Sequence, residues 1–184
     1  MPLSLEDQPY FAGFRVLSTN GIDLPVLGVF RLLGLMRGRR VALTSTADRG
    51  VDSLRPHGAP RGPGISALAS LDARSLSILA WHYHDVDLPG EPAAVALSVR
   101  GLPSGAAAVR AEHFRIDVNH GNAYSEWKKT GSPGRPTAEQ IAALKQAATL
   151  KQIDAPTHHA GSRGGFSCEF LLPRQAVSLI VLSW

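Results

Sequence analysis

The sequence predicts a mainly β protein: an antiparallel β-sandwich with a preceding helix and one or two short helices inserted. Three observations predict it. From Val41 onward, short apolar segments recur, each bounded by Gly, Pro or Asp, at the spacing of an antiparallel sandwich or barrel. Ahead of them, Leu24 to Met36 is apolar nearly all round, with Arg31 as its only charge, the composition of a helix covered on most sides. Late in the chain, Thr137 and Gln140 stand in capping-box spacing at the start of a further helix.

Taken in order, residues 1–21 read as a loop with a short apolar piece. Asp23-Leu24-Pro25 starts the first helix, with Asp as the cap and Pro in the first turn. Gly34 and Gly38 mark its end. VALTSTA, 41–47, is a strand, and the Arg-, Gly- and Pro-rich stretch 48–64 is a loop. ISALASLDA and SLSILAWHYHDV read as a strand pair, followed by AVALSVRGL and VRAEHFRIDV. In the last of these, Phe114 and Ile116 alternate with Arg115 and Asp117, the period of a half-buried strand. Asn119-His120-Gly121-Asn122 then breaks it, because these residues tolerate unusual backbone angles or bond their own backbone. Ala123 to Lys129 is a short amphipathic segment with Tyr124 and Trp127 on one helical face. The capped helix follows, with Ile141, Leu144 and Ala148 as its apolar face. FSCEFLLPRQAVSLIVLSW closes the chain as two strands about a Pro173-Arg174 turn.

Composition bounds the functional classes. The chain has 184 residues, 44% of them apolar and 18% charged, enough for one packed domain or a domain plus a fragment of another. Its net charge of +4 is scattered, and Arg37, Arg39 and Arg40 form the densest cluster. Without a basic stripe interleaved with aromatics, the expectation is no nucleic-acid partner. Cys168 is the sole cysteine, which excludes an internal disulfide and a cysteine-rich zinc site. Met1 to Tyr10 lacks the basic start and apolar run of a signal peptide. The longest apolar block, Leu24 to Met36, is shorter than the about 20 residues of a membrane span, so no membrane partner is expected.

Several local patterns resemble sites, and each has a plainer reading. His82-Tyr83-His84 puts two imidazoles on one strand face near Asp85 and Asp87, but no third metal ligand is placed; a polar strand end is the reading adopted. Asp117-x-Asn119-x-Gly121 resembles the start of a calcium loop and fails where Gly and Glu are required, at Asn122 and Lys128. Gly161 to Gly165 lacks the Lys-Ser/Thr ending of a phosphate loop, and no Gly-x-Ser-x-Gly is present. Glu6-Asp7 is an adjacent acidic pair, whereas glycoside hydrolysis sets two carboxyls about 5–10 Å apart across a sugar ring. Tyr124, Trp127 and Trp81 are candidate sugar-stacking rings, against a packing role that is the commoner fate of aromatics. No metal and no cofactor is expected.

Read together, SLEDQPYFAGFRVLSTNGIDLPVLGVFRLLG, WHYHDVD, FRIDVNHGNAYSEWKKTGSP with PTAEQ, and LPRQAVSLIVL are similar in content and order to glycoside hydrolase family 39, the β-xylosidase family. The specific parts are Ile116-Asp117, Asn122-Ala123-Tyr124, Trp127-Lys128, Gly131-Ser132-Pro133 and Leu172-Pro173-Arg174-Gln175. The resemblance implies a (β/α)8 barrel followed by a β-sandwich, with this chain starting after the last barrel strand. On that basis residues 1–37 are the barrel's last loop and helix, and residues 38–184 are the sandwich. Glu6 and Asp7 resemble the acidic pair lining the sugar subsite. The family's acid/base and nucleophile glutamates lie on earlier barrel strands, and no position here matches either, so the chain has no catalytic residue of its own.

The resemblance therefore implies the C-terminal part of a β-xylosidase-like enzyme, incomplete for hydrolysis of O-glycosyl bonds in xylan or xylo-oligosaccharides. Its partner would be carbohydrate, a xyloside, once joined to a barrel. A non-catalytic sandwich that binds carbohydrate or protein is the alternative. The helix 24–36, without its barrel, is expected either to fold onto the sandwich or to form a homo-oligomer through its bare face.

Overall fold

The computed structural model describes residues 10–11, 16–48, 64–84, 89–102, 109–161 and 165–184. Its described strands pair antiparallel, and three helices interrupt them among the described residues. In chain order these are β1 (Ser18–Thr19), β2 (Ile22–Asp23), α1 (Pro25–Leu35), β3 (Arg39–Val41), β4 (Gly64–Leu71), β5 (Ser75–Tyr83), β6 (Ala93–Val99) and β7 (Arg110–Ile116). There follow α2 (Ala123–Lys129), α3 (Ala138–Ala148), β8 (Gln152–Ile153), β9 (His158–Gly161), β10 (Gly165–Leu172) and β11 (Val177–Ser183). The chain divides into two compact units, one of Met1–Arg31 with Ile116–Lys151, the other of Leu32–Arg115 with Gln152–Trp184.

The second unit is the β-sandwich. A six-stranded sheet runs β3-β4-β5-β11-β7-β8, and a three-stranded sheet runs β6-β10-β9. β6 alternates strictly between half-buried and exposed residues, so Val95, Leu97 and Val99 share one face, as a sheet with a single covered face requires. β10 does the same with Phe166, Cys168, Phe170 and Leu172 inward. These side chains meet Ala69, Leu76, Ile78, Ile180 and Leu182 of the larger sheet in one core, and Ala80, Leu172 and Ala176 extend it. β5 and β11 lie in the middle of the larger sheet, and Leu76 to Ala80 are buried on both faces. Their register sets Leu79 against Leu179 and Ile78 against Ile180. Each fully buried Leu or Ile contributes on the order of 1.5–3 kcal/mol.

Local chemistry explains the corners. β4 and β5 form the expected pair, joined where Asp72 Oδ1 accepts from the backbone N–H groups of Arg74 and Ser75 at 2.8 and 2.7 Å. Gly38 has φ +80°, and a Cβ there would collide with the Leu71 carbonyl oxygen, so only glycine admits β3 beside β4. The Pro173-Arg174 turn does separate two strands, but β10 and β11 belong to different sheets, so it is a crossing and not a hairpin. The strand expected over 41–47 is three residues long, Arg39–Val41.

The first unit is built around α2 and α3. Asn122 caps α2, its Oδ1 accepting from Ser125 N–H at 3.1 Å. Thr137 and Gln140 form the expected capping box on α3, with both reciprocal hydrogen bonds made. Ala123, Trp127, Leu144 and Ala148 bury themselves with Ile22, and Tyr10 and Phe11 pack against them. Ile22 is delivered by a hairpin within the stretch expected to be loop. Asn20 and Gly21 both have positive φ, 49° and 70°, and pair Thr19 with Ile22 across a two-residue turn.

α1 begins one residue later than the sequence suggests. The Leu24 carbonyl accepts from the N–H groups of Leu27 and Gly28, so Leu24 holds the cap position and Pro25 the first helical one. Asp23 is left free of capping and pairs with Arg31 at 2.7 Å. Gly28 is buried against Ile116, so closely that a Cβ there would lie 2.7 Å from Ile116 Cδ1. The expected all-round cover is incomplete: Val26, Phe30 and Leu33 are 44, 57 and 38% exposed. At i, i+4 and i+7 they form one apolar stripe on the helix. No helix among the described residues is long and apolar enough to cross a membrane.

Candidate functional site

The polar corner between β7 and α2 is the best-defined cluster of functional groups in the described structure. Asp117 is 5% exposed, yet its Oδ1 is fully engaged. It accepts from the backbone N–H groups of Asn119 and His120 at 2.7 and 2.9 Å and from His120 Nδ1 at 2.8 Å. The His120 carbonyl accepts from Asp117 N–H at 3.0 Å, and Asn122 Nδ2 donates to the Asp117 carbonyl at 2.9 Å. Gly121, with φ +60°, lets the chain double back. The sequence pattern that began like a calcium loop is therefore a self-contained turn whose carboxylate is spent on its own backbone and on a histidine. The signal for this was the Asp-x-x-His spacing, which sequence reasoning passed over in favour of Asp-x-Asn.

That hydrogen bond orients the imidazole. A carboxylate acceptor at Nδ1 puts a proton on that nitrogen, so in the neutral ring the lone pair lies on Nε2. The side chain of His120 is 42% exposed and lines a groove of about 280 Å³ together with Glu126, Gln146 and Lys151. Glu126 lies 3.7 Å from Lys129 in an exposed pair.

The other candidates fall elsewhere. Trp127 is 5% exposed, donates Nε1–H to the Pro133 carbonyl at 3.0 Å, and stacks at 5.3 Å from Phe11. It is a core residue and offers no face for sugar stacking. Tyr124 is exposed, with Lys128 Nζ 5.5 Å from its ring centroid and Phe11 against its edge. Trp81 lies in β5 of the other unit, in register with Val177. His82 is buried, with Nδ1 3.1 Å from the Leu172 carbonyl, and its Nε2 has no partner among the described residues. The His84 carbonyl accepts from Gln175 Nε2 at 2.6 Å, which fastens the strand end. Asp85 and Asp87 lie outside the described residues, as do Glu6 and Asp7. Among the described residues no three His, Cys, Asp or Glu side chains converge as a metal site would.

A second polar group is buried in the sandwich and was not singled out from sequence. His113 Nε2 lies 3.1 Å from Ser178 Oγ, which also accepts from Arg115 Nε at 3.0 Å, and Arg115 Nη2 donates to the Leu171 carbonyl at 2.9 Å. It ties β7 to β11 and β10. Two titrating groups are displaced. Backbone donation from Arg74 and the Ser75 hydroxyl hold the Asp72 carboxyl below its ordinary range. Burial pushes the Cys168 thiol up to about 11, which keeps it protonated and unreactive.

A two-sheet antiparallel sandwich and a compact helical unit put the described residues in the mainly β class, with the sandwich as the larger part. The sequence profile of glycosyl hydrolases family 39 matches residues 4–163, and the chain belongs to that family. Solved structures agree in fold. A family 39 enzyme from Xanthomonas axonopodis pv. citri superposes with a TM-score of 0.70 at 16% identity, over 96% of this chain and 33% of that one. A monomeric β-xylosidase from Caulobacter crescentus CB15 gives 0.66 at 18% identity, over 96% and 34%. A bacterial orthologue of human α-L-iduronidase gives 0.66 at 22% identity, over 88% and 27%. The chain thus spans about a third of the length of these proteins. No curated protein matches it.

Proposed function

We propose that this chain is the sandwich part of a β-xylosidase-like glycoside hydrolase, acting on O-glycosyl bonds of xylan or xylo-oligosaccharides only when a barrel supplies the catalytic carboxylates. The observation that carries the proposal is the family match over 4–163 in a chain that spans a third of the length of its solved relatives. Retaining glycosidases need two carboxyls about 5–5.5 Å apart, one as acid/base and one as nucleophile. In barrel enzymes these sit at the C-terminal ends of strands, and the described strands form no run of alternating β and α units. Glu6 and Asp7 belong, on this reading, to the wall of the sugar subsite. The stripe of Val26, Phe30 and Leu33 on α1 is the face that the remainder of such an enzyme covers.

The test is an assay of the purified polypeptide with an aryl β-xyloside. The expected result is no release of the aryl group above the buffer rate. Turnover that disappears in Glu6→Gln would overturn the proposal, because it would place the chemistry within these residues.

A further inference from the structure

We propose that the groove beside His120 binds a neutral, polyhydroxylated ligand, a single pentose or hexose unit or the end of a short oligosaccharide. The site lies wholly within Ile116–Lys151, requires no hydrolysis, and stands or falls independently of the function proposed above.

The argument starts from the buried carboxylate. Asp117 holds His120 by Nδ1 and orients the ring, so Nε2, which in the neutral ring carries the lone pair, has no protein partner among the described residues. His120 lines the same groove as Glu126, Gln146 and Lys151. These supply two acceptors, one cationic donor and one amide that does both. Around the groove the carboxylates of Asp117 and Glu126 stand against the ammonium groups of Lys129, which pairs with Glu126 at 3.7 Å, and Lys151, so neither a simple anion nor a simple cation gains much there. A hydroxyl group both donates and accepts, and a ring carrying several of them can meet all four side chains. Ala143 and Ala147, one turn apart on α3, line the groove with methyl groups and suit the C–H face of a sugar. The volume of about 280 Å³ is at the small end for ligand sites, which fits one or two rings and a dissociation constant of about 1 mM.

The experiment is an NMR titration of the whole chain with xylose, xylobiose and glucuronate, observing backbone amides and the imidazole nitrogens. Before ligand is added, the nitrogen spectra should show the His120 Nδ1 carrying a proton, as its bond to Asp117 requires. The neutral sugars should then produce saturable shifts confined to Asn119–Gly121, Glu126 and the α3 face, with Nε2 moving most. His120→Ala should weaken binding by about tenfold, equivalent to roughly 1.4 kcal/mol. Ala143 is exposed on α3, so Ala143→Trp fills the groove while keeping every residue of the Asp117 turn, and it should abolish the shifts in a folded protein. Shifts that stay linear to about 100 mM, roughly a hundred times the expected constant, would overturn the proposal. So would saturable shifts that persist in Ala143→Trp, or tighter binding of glucuronate than of xylose.

Discussion

Trp127→Ala should open the first unit while leaving the sandwich closed. Trp127 is 5% exposed and packs with Ile22, Ala123, Leu144 and Ala148, with Phe11 5.3 Å away. An indole of this kind buries about 150–250 Å², which at about 25 cal/mol per Å² is roughly 4–6 kcal/mol of transfer free energy. That is an upper bound, because the unfolded chain already hides some surface. Removing the ring also strips the Pro133 carbonyl of its donor. Pro133 is only half-buried, so water replaces the bond at a cost under about 1 kcal/mol. The expected loss is about 4 kcal/mol, within the range of measured large-to-small core substitutions. Amide hydrogen exchange resolves where the loss falls. Protection in α2 and α3 should drop about a thousandfold, since each 1.4 kcal/mol is a factor of ten. Protection in β5 and β11, whose core shares no residue with Trp127, should hold. Trp127→Phe, which keeps an aromatic ring in place, should lose about half as much. A fall of less than tenfold in α2 and α3 for the alanine variant would refute the reasoning, since it would mean the indole anchors nothing.

Three other outcomes are expected. Because Val26, Phe30 and Leu33 are exposed, the chain should form dimers through this stripe as concentration rises in analytical ultracentrifugation. Phe30→Glu with Leu33→Glu should abolish this while moving the thermal midpoint by no more than about 2 °C; a wild-type chain monomeric at every concentration, with no dye binding, would count against it. Thr137→Ala removes the capping-box hydroxyl and should cost about 1 kcal/mol in urea unfolding, whereas Thr137→Ser should be nearly neutral. Cys168 should resist maleimide at pH 7 in the native state and react at once in denaturant. Because its folded pKa is raised, the thiol's contribution to stability is complete below the unfolded value. It declines as pH rises from about 9 through about 11, and Cys168→Ala should remove that alkaline component.

Much of the chemistry of the site is written locally, but its arrangement depends on geometry that local patterns do not carry. Asp117, Asn119 and Gly121 were visible as a metal-like pattern, but only the fold shows the carboxylate turned inward onto His120. Trp127 and Tyr124 share a helical face in the sequence, and one is buried while the other is exposed. The difference comes from Phe11 and Ile22, more than a hundred residues earlier, which close over Trp127. Leu24 holds the cap position, and the Asp23 carboxylate instead meets Arg31, two turns along, at 2.7 Å.

By itself the sequence determined what short-range physics controls. The strict alternation of β6 and β10, the β4–β5 hairpin, the capping box on α3 and the apolar character of α1 all follow from side chains within a few residues of one another. Family membership was legible for a similar reason, since it rests on compact runs such as Asn122-Ala123-Tyr124 and Gly131-Ser132-Pro133. Tertiary structure alone decided the neighbours. It set β11 between β5 and β7, sent β10 to the opposite sheet across the Pro173 turn, and raised two- to four-residue strands such as β3, β8 and β9 that have no periodicity of their own. It also joined the hairpin at Asn20-Gly21 to helices a hundred residues away in one core. Periodicity states which face of an element is apolar, but every apolar face is equally eager for cover. Which partner supplies it depends on loop closure and shape across the whole chain, and these are properties of the folded molecule.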